Sequence, residues 1–135
     1  MTRRVRAVGG GPDAGAAVVD FVLIGGLIVV IALGIVQLTL GLHVRNTLVD
    51  SASAGARYGA LDGRSTSDAA RRTRELVAGS LADGYADEVT ARRVVVGGVE
   101  MVEVEVRAPL PVIGLIGPAG RLTVTGHAIA EDDLP

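Results

Sequence analysis

The sequence predicts a membrane-anchored α+β protein. A long N-terminal transmembrane helix extends into a small exported domain, in which a second helix accompanies a three-stranded antiparallel sheet. Three observations carry this expectation. No charged residue occurs over 21–44, a stretch that at ~1.5 Å per residue reaches far enough to cross a hydrocarbon core of about 30 Å with some tilt. After residue 65 the apolar positions recur at helical spacing, and from Glu88 onward they alternate with period two.

Composition narrows the function classes. Apolar residues make up 49% of the 135, yet there is one Phe, two Tyr and no Trp. The hydrophobicity is therefore aliphatic, which suits a membrane segment plus a modest core and supplies no stacking platform for nucleic acid. A net charge of −2 gives no clustered positive field for phosphates. With no cysteine, disulfides, thiolate metal sites and thiol catalysis are excluded.

The first element is the run that follows "DAGAAVVD", residues 13–20. It is too long for a secretory h-region of about 7 to 15 residues, although "ASA" at 52–54 is the kind of site a signal peptidase cuts. Arg3, Arg4 and Arg6 precede the run, whereas Arg45, Asp50 and Arg57 after it are balanced. Positive charge stays on the cytoplasmic side, so the N-terminus is expected inside and the C-terminal part exported. Gly26, Gly34 and Gly41 fall near one face, where glycine allows another helix to come close. Beyond the membrane the helix continues to about residue 60 with small side chains at Ser51, Ala52, Gly55, Ala56, Gly59 and Ala60. That face suits close packing, against either the protein's own exported domain or a neighbouring subunit.

"LDGR" at 61–64 reads as a turn, and "STSD" opens a second, amphipathic helix with apolar positions at Ala69, Ala70, Thr73, Leu76, Val77 and Leu81. "EVTARRVVV" and "VEMVEVEVRA" flank Gly97–Gly98, the pattern of a β-hairpin. Val102, Val104 and Val106 fall on one face of it, and Glu103, Glu105 and Arg107 on the other. "RLTVTGHAIAE" supplies a third strand, and the Pro- and Gly-rich "PLPVIGLIGPAG" between them is expected to fold back over the core.

One carboxylate, Asp20, stands at the mouth of the apolar run, where an ionised group is costly unless compensated. The stretch Gly15 to Phe21 resembles the processing site of type IV pilin-like proteins, in which a peptidase cuts after a glycine. That resemblance implies a cut between Gly15 and Ala16, which makes Asp20 the fifth residue of the shortened chain. Such a cut creates an α-amino group, protonated below a pKa of about 8. A carboxylate four residues on shares its helical face and suits the positive end of the helix dipole. The bland reading is that Asp20 only marks the membrane boundary.

The order of motifs resembles the TadE-like family, minor pilins or pseudopilins of tight-adherence (Tad/Flp) pilus systems, which are type IV pilin-like. Gly15 to Phe21 stands where that family has its glycine-led start, and an apolar run follows. Arg45-Asn46-Thr47-Leu48 and a small-residue stretch ending at Gly55-Ala56-Arg57 come next. The resemblance covers residues 15 to about 60. At the position of Asp20 the family usually has glutamate; aspartate keeps the charge and is one methylene shorter.

The resemblance implies processing after Gly15 by a prepilin peptidase and a role in assembling a tight-adherence bacterial pilus or related secretion apparatus. The implied partners are that peptidase, other pilins or pseudopilins, an inner-membrane platform and an assembly ATPase, in addition to membrane lipid. The expected organisation is a basic leader over 1–15 that is removed, a helix over 16–60 whose transmembrane part is 21–44, and an exported α+β domain over 61–135. No cofactor, metal, nucleic acid or small-molecule substrate is expected, and no enzymatic activity, because His43 and His127 stand alone and no constellation of catalytic groups occurs. Glu100, Glu103 and Glu105 read as a solvated alternation, with a weak divalent-cation site as the sharper alternative. Two other functional readings stand beside this one: an unprocessed single-span anchor for an extracytoplasmic binding domain, and a domain released at 52–54.

Overall fold

The structure, a computed structural model, describes residues 11–110 and 120–131. Its elements are helix α1 (Pro12–Ala60), helix α2 (Thr66–Ser80), a 3₁₀ turn at Asp83–Tyr85, and strands β1 (Glu88–Val96), β2 (Val99–Pro109) and β3 (Arg121–Ile129). The long N-terminal helix, the second helix and the three-stranded antiparallel sheet are those the sequence predicts. The reading of "PLPVIGLIGPAG" falls mostly on residues outside those described. The chain divides into two units, Met1–Val36 and Gln37–Pro135.

The first unit contributes the start of α1. From Val22 to Val36 the side chains are aliphatic on every side, and Phe21, Val22, Leu23, Leu27, Ile31 and Ile35 are all more than half exposed. A helix apolar all round is one built for hydrocarbon or for the middle of a large core. α1 is long and apolar enough to cross a membrane, and in its most apolar window it buries nothing.

The second unit builds a core from small aliphatic residues. On α1, Val44, Leu48, Ala52, Ala56 and Ala60 recur every four residues and are buried. A spacing of four advances about 40° per step around a 3.6-residue helix, so this stripe turns slowly from one side to another. Its partners change accordingly. Gly126 of β3 lies against the backbone of Ala52 and Ser53, whereas Gly55 and Gly59 lie against Ala69, Thr73 and Ser65 at the start of α2.

α2 starts where a capping box can form. Ser65 Oγ accepts the Asp68 N–H at 3.2 Å, and Asp68 Oδ2 accepts the Ser65 N–H at 3.1 Å. Ala69, Ala70, Thr73 and Val77 are its buried stripe. The Thr73 hydroxyl is accommodated by donating to the Ala69 carbonyl at 2.9 Å, so its burial leaves no orphaned polar atom.

The sheet runs β1-β2-β3, antiparallel throughout. Val96 pairs with Val99 across Gly97 and Gly98, whose φ values of 61° and 84° are those of a type I′ turn. That turn sets the hairpin register. The rows Val89–Val106–Val124 and Ala91–Val104–Gly126 therefore face the core. The opposite face carries Glu88–Arg107–Thr123, Thr90–Glu105–Thr125 and Arg92–Glu103–His127, as the alternation around Val102 to Val106 predicts.

Candidate processing site and packing surfaces

Gly15 and Ala16 lie within the first turn of α1, near its start at Pro12. The Ala14 N–H donates to the Gly11 carbonyl at 3.0 Å, which tightens the entry into the helix. Asp13 to Asp20 are exposed. Asp20 stands one helical turn beyond Ala16, on the same face, where a carboxylate faces a group at the first residue of a chain beginning there. The sequence singles out this group of residues, and the helix brings them together.

Gly26 and Gly34 in the first unit, and Gly41 in the second, have open space where a Cβ would sit. Within the first unit, helical geometry sets Gly26 and Gly34 about 80° apart around α1.

The residues after the apolar run divide differently. Arg45, Asn46 and Arg57 are exposed, while Gly55 and Ala56 are buried, Gly55 against Ala69 and Thr73 of the protein's own α2. Of the two readings of the small-residue face, packing against the protein's own α2 and β3 is the one the structure adopts. Ala52 is fully buried and helical. A cut after residue 54 would strip Val44, Leu48 and Ala52 from the core, so the structure argues against a domain released there.

The ionisable groups of the sheet are paired. Glu103 takes Arg92 Nε at 2.6 Å on one oxygen and His127 Nε2 at 2.8 Å on the other. The His127 hydrogen bond, with Arg92 beside it, holds the Glu103 carboxyl below its usual range. Glu105 pairs with Arg107 at 2.7 Å and Glu100 with Arg93 at 2.9 Å. Glu100 belongs to the other face from Glu103 and Glu105, so the three do not converge on a shared cation. Among the described residues no group of three His, Cys, Asp or Glu is placed to hold a metal ion.

On α2, Asp68 is pulled down to about 2 by Arg71 and by the Ser65 cap. Arg71 and Arg72 both reach Glu75, and Arg74 donates to the Val89 carbonyl of β1 at 2.8 Å. The arginines of this helix form no unpaired basic patch. His43 is exposed at the base of the apolar run, where its carbonyl accepts the Thr47 hydroxyl at 2.9 Å.

Two structurally decisive features escape sequence reasoning. Gly126, inside a strand pattern, is where β3 meets the backbone of α1, and an isolated strand glycine is the one local sign of such an approach. The Arg92–Glu103–His127 row exists only because β2 and β3 pair in one register.

Against known proteins, a family model described as TadE-like protein matches residues 15–57. The match begins at Gly15 and ends at Arg57, within the segment whose motif order resembles that family. No curated protein and no solved structure matches the chain.

Proposed function

We propose that the protein is a TadE-like minor pilin or pseudopilin, inserted with its N-terminus inside and cut after Gly15 by a prepilin peptidase. It then acts in assembly of a tight-adherence pilus or a related secretion apparatus. The observation that carries this reading is the coincidence of the family match, which starts at Gly15, with an exposed helix turn that places Asp20 one turn beyond Ala16. In this reading the chain is a substrate and a structural part, not an enzyme.

The chemistry done to it is hydrolysis of one peptide bond. The bond between the Gly15 carbonyl carbon and the Ala16 nitrogen breaks, and water supplies the hydroxyl to Gly15 and a proton to the amine of Ala16. The leader leaves with Arg3, Arg4 and Arg6, the cationic groups that hold the helix on the cytoplasmic side. A helix whose apolar surface runs all the way round can then leave lipid and pack among other apolar helices. The new ammonium and the Asp20 carboxylate, within one chain or between neighbours, offset each other's desolvation in such a bundle. The partners are the peptidase, other pilins, an inner-membrane platform and an assembly ATPase.

The test is the N-terminus of the mature chain, by mass spectrometry of membranes and sheared surface material with and without the peptidase. A chain beginning at Ala16 only when the enzyme is present supports the proposal. Retention of Arg3 to Arg6 refutes processing and leaves an ordinary anchored domain; a start at Gly55 means a released one.

A further inference from the structure

The glycines of this chain are not alike. At Gly55, Gly59 and Gly126 an added Cβ would collide with Thr73, Ala69 or the backbone of α1, so packing alone accounts for them. At Gly15 a Cβ would meet nothing within 4 Å, and Gly15 is not among the positive-φ glycines, Gly63, Gly97 and Gly98. Neither contact nor backbone conformation in the folded chain requires glycine there. What remains is its cost: relative to alanine, glycine shifts a helix equilibrium by about fivefold at one position.

That cost falls on the bond proposed to be cut. In a helix the Gly15 carbonyl is committed to the amide four residues on, at Val19. A hydrolase must reach the carbonyl carbon with the oxygen free to take up charge, so residues around the bond have to leave the helix first. Proteolysis of a transiently opened state tracks the population of that state when opening is fast. Helix ends are the least stable part of a helix, and this bond lies in the first turn.

Resting on the processing reading, we propose that Gly15 serves the cut by weakening the first turn of α1, so that the Gly15–Ala16 bond is hydrolysed from a locally opened state of residues 12–17. The glycine acts through the conformation of the substrate. An alanine at the same place keeps the bond chemically identical but holds it in the helix more of the time.

The test moves the weak point without touching the bond. In the full chain, solubilised and presented to a prepilin peptidase at limiting enzyme, cleavage rates are compared for the unsubstituted protein, Ala17→Gly, Gly15→Ala and the double variant. Amide exchange at Val19 reports opening independently. The proposal expects Ala17→Gly to cut up to about fivefold faster, Gly15→Ala to cut more slowly by a similar factor, and the double variant to recover most of the loss, with exchange moving in parallel. It is overturned if Gly15→Ala stays uncut with or without Ala17→Gly while exchange at Val19 responds, because the peptidase then reads the glycine directly. If the unsubstituted chain is not cut at Gly15 at all, the processing reading fails and this inference falls with it.

Discussion

Replacing Gly126 with alanine tests the packing of the second unit where β3 meets the backbone of α1. The new Cβ would stand 2.5 Å from the Ala52 carbonyl carbon and 2.7 Å from the Ser53 Cα. Both are main-chain atoms in the middle of α1, so no rotamer change relieves the clash, and β3 has to move away from the helix. Overpacking of a well-filled core costs about 1–3 kcal/mol, and displacing β3 also disturbs Val124, which is 4% exposed, and Ala130, which is 1% exposed. Amide exchange over β2, the central strand, reads this cost as a rate: 1–3 kcal/mol corresponds to a rise of roughly five- to 150-fold in globally exchanging amides. The matched control is Gly79→Ala in α2, where a Cβ meets nothing within 4 Å; it is expected to slow exchange slightly, by up to about fivefold. Unchanged exchange in Gly126→Ala would refute the close crossing of β3 over α1.

Leu48→Ala is expected to destabilise the same domain by about 2–5 kcal/mol, because Leu48 is 0% exposed and its loss leaves a cavity that small neighbours cannot fill; chemical denaturation measures it. Glu103 contributes a pH dependence. Its folded-state pKa is depressed from 4.5 by His127 and Arg92, so its stabilisation is complete above the unfolded value and is lost as pH falls through the folded one. Stability of Glu103→Gln should accordingly fall less steeply on acidification below about pH 4.5, and an identical acid limb would show the pairing to be idle. At the proposed processing site, Asp20→Ala should leave cutting after Gly15 largely intact while impairing assembly, and Asp20→Glu should assemble normally. Equal assembly by all three chains in a piliation assay would remove the amine-pairing role.

What could be read in the sequence was what local periodicity encodes. The valines at 102, 104 and 106 point inward because a two-residue glycine turn fixes their register within a few residues of chain. Ser65 and Asp68 announce α2 because capping is a contact between near neighbours. The pairing of β3 with β2 depends on residues brought together across a long connection, so the contact between Glu103 and His127 was not visible. For the same reason the small residues of α1 were legible as a packing face but not as the seat of α2 and β3. At the candidate site, Gly15, Ala16 and Asp20 were legible because a single helix sets their spacing. That a Cβ at Gly15 has open space around it is a property of the fold, and no spacing rule contains it.

At Gly55 and Gly59 of α1 an added Cβ would meet the main chain of Ala69 or Ser65 as well as the Thr73 and Ala69 side chains, and at Gly126 of β3 it would meet the main chain of α1. Where large side chains meet, a core absorbs an extra methyl by letting one of them rotate. Peptide groups held in a helix have no such freedom. Sequence drift in this domain is thus expected to be lopsided, free on the outer rows of the sheet, where charged pairs can be exchanged for others, and one-directional at these three positions, where any increase in volume has to be met by moving a whole helix or strand.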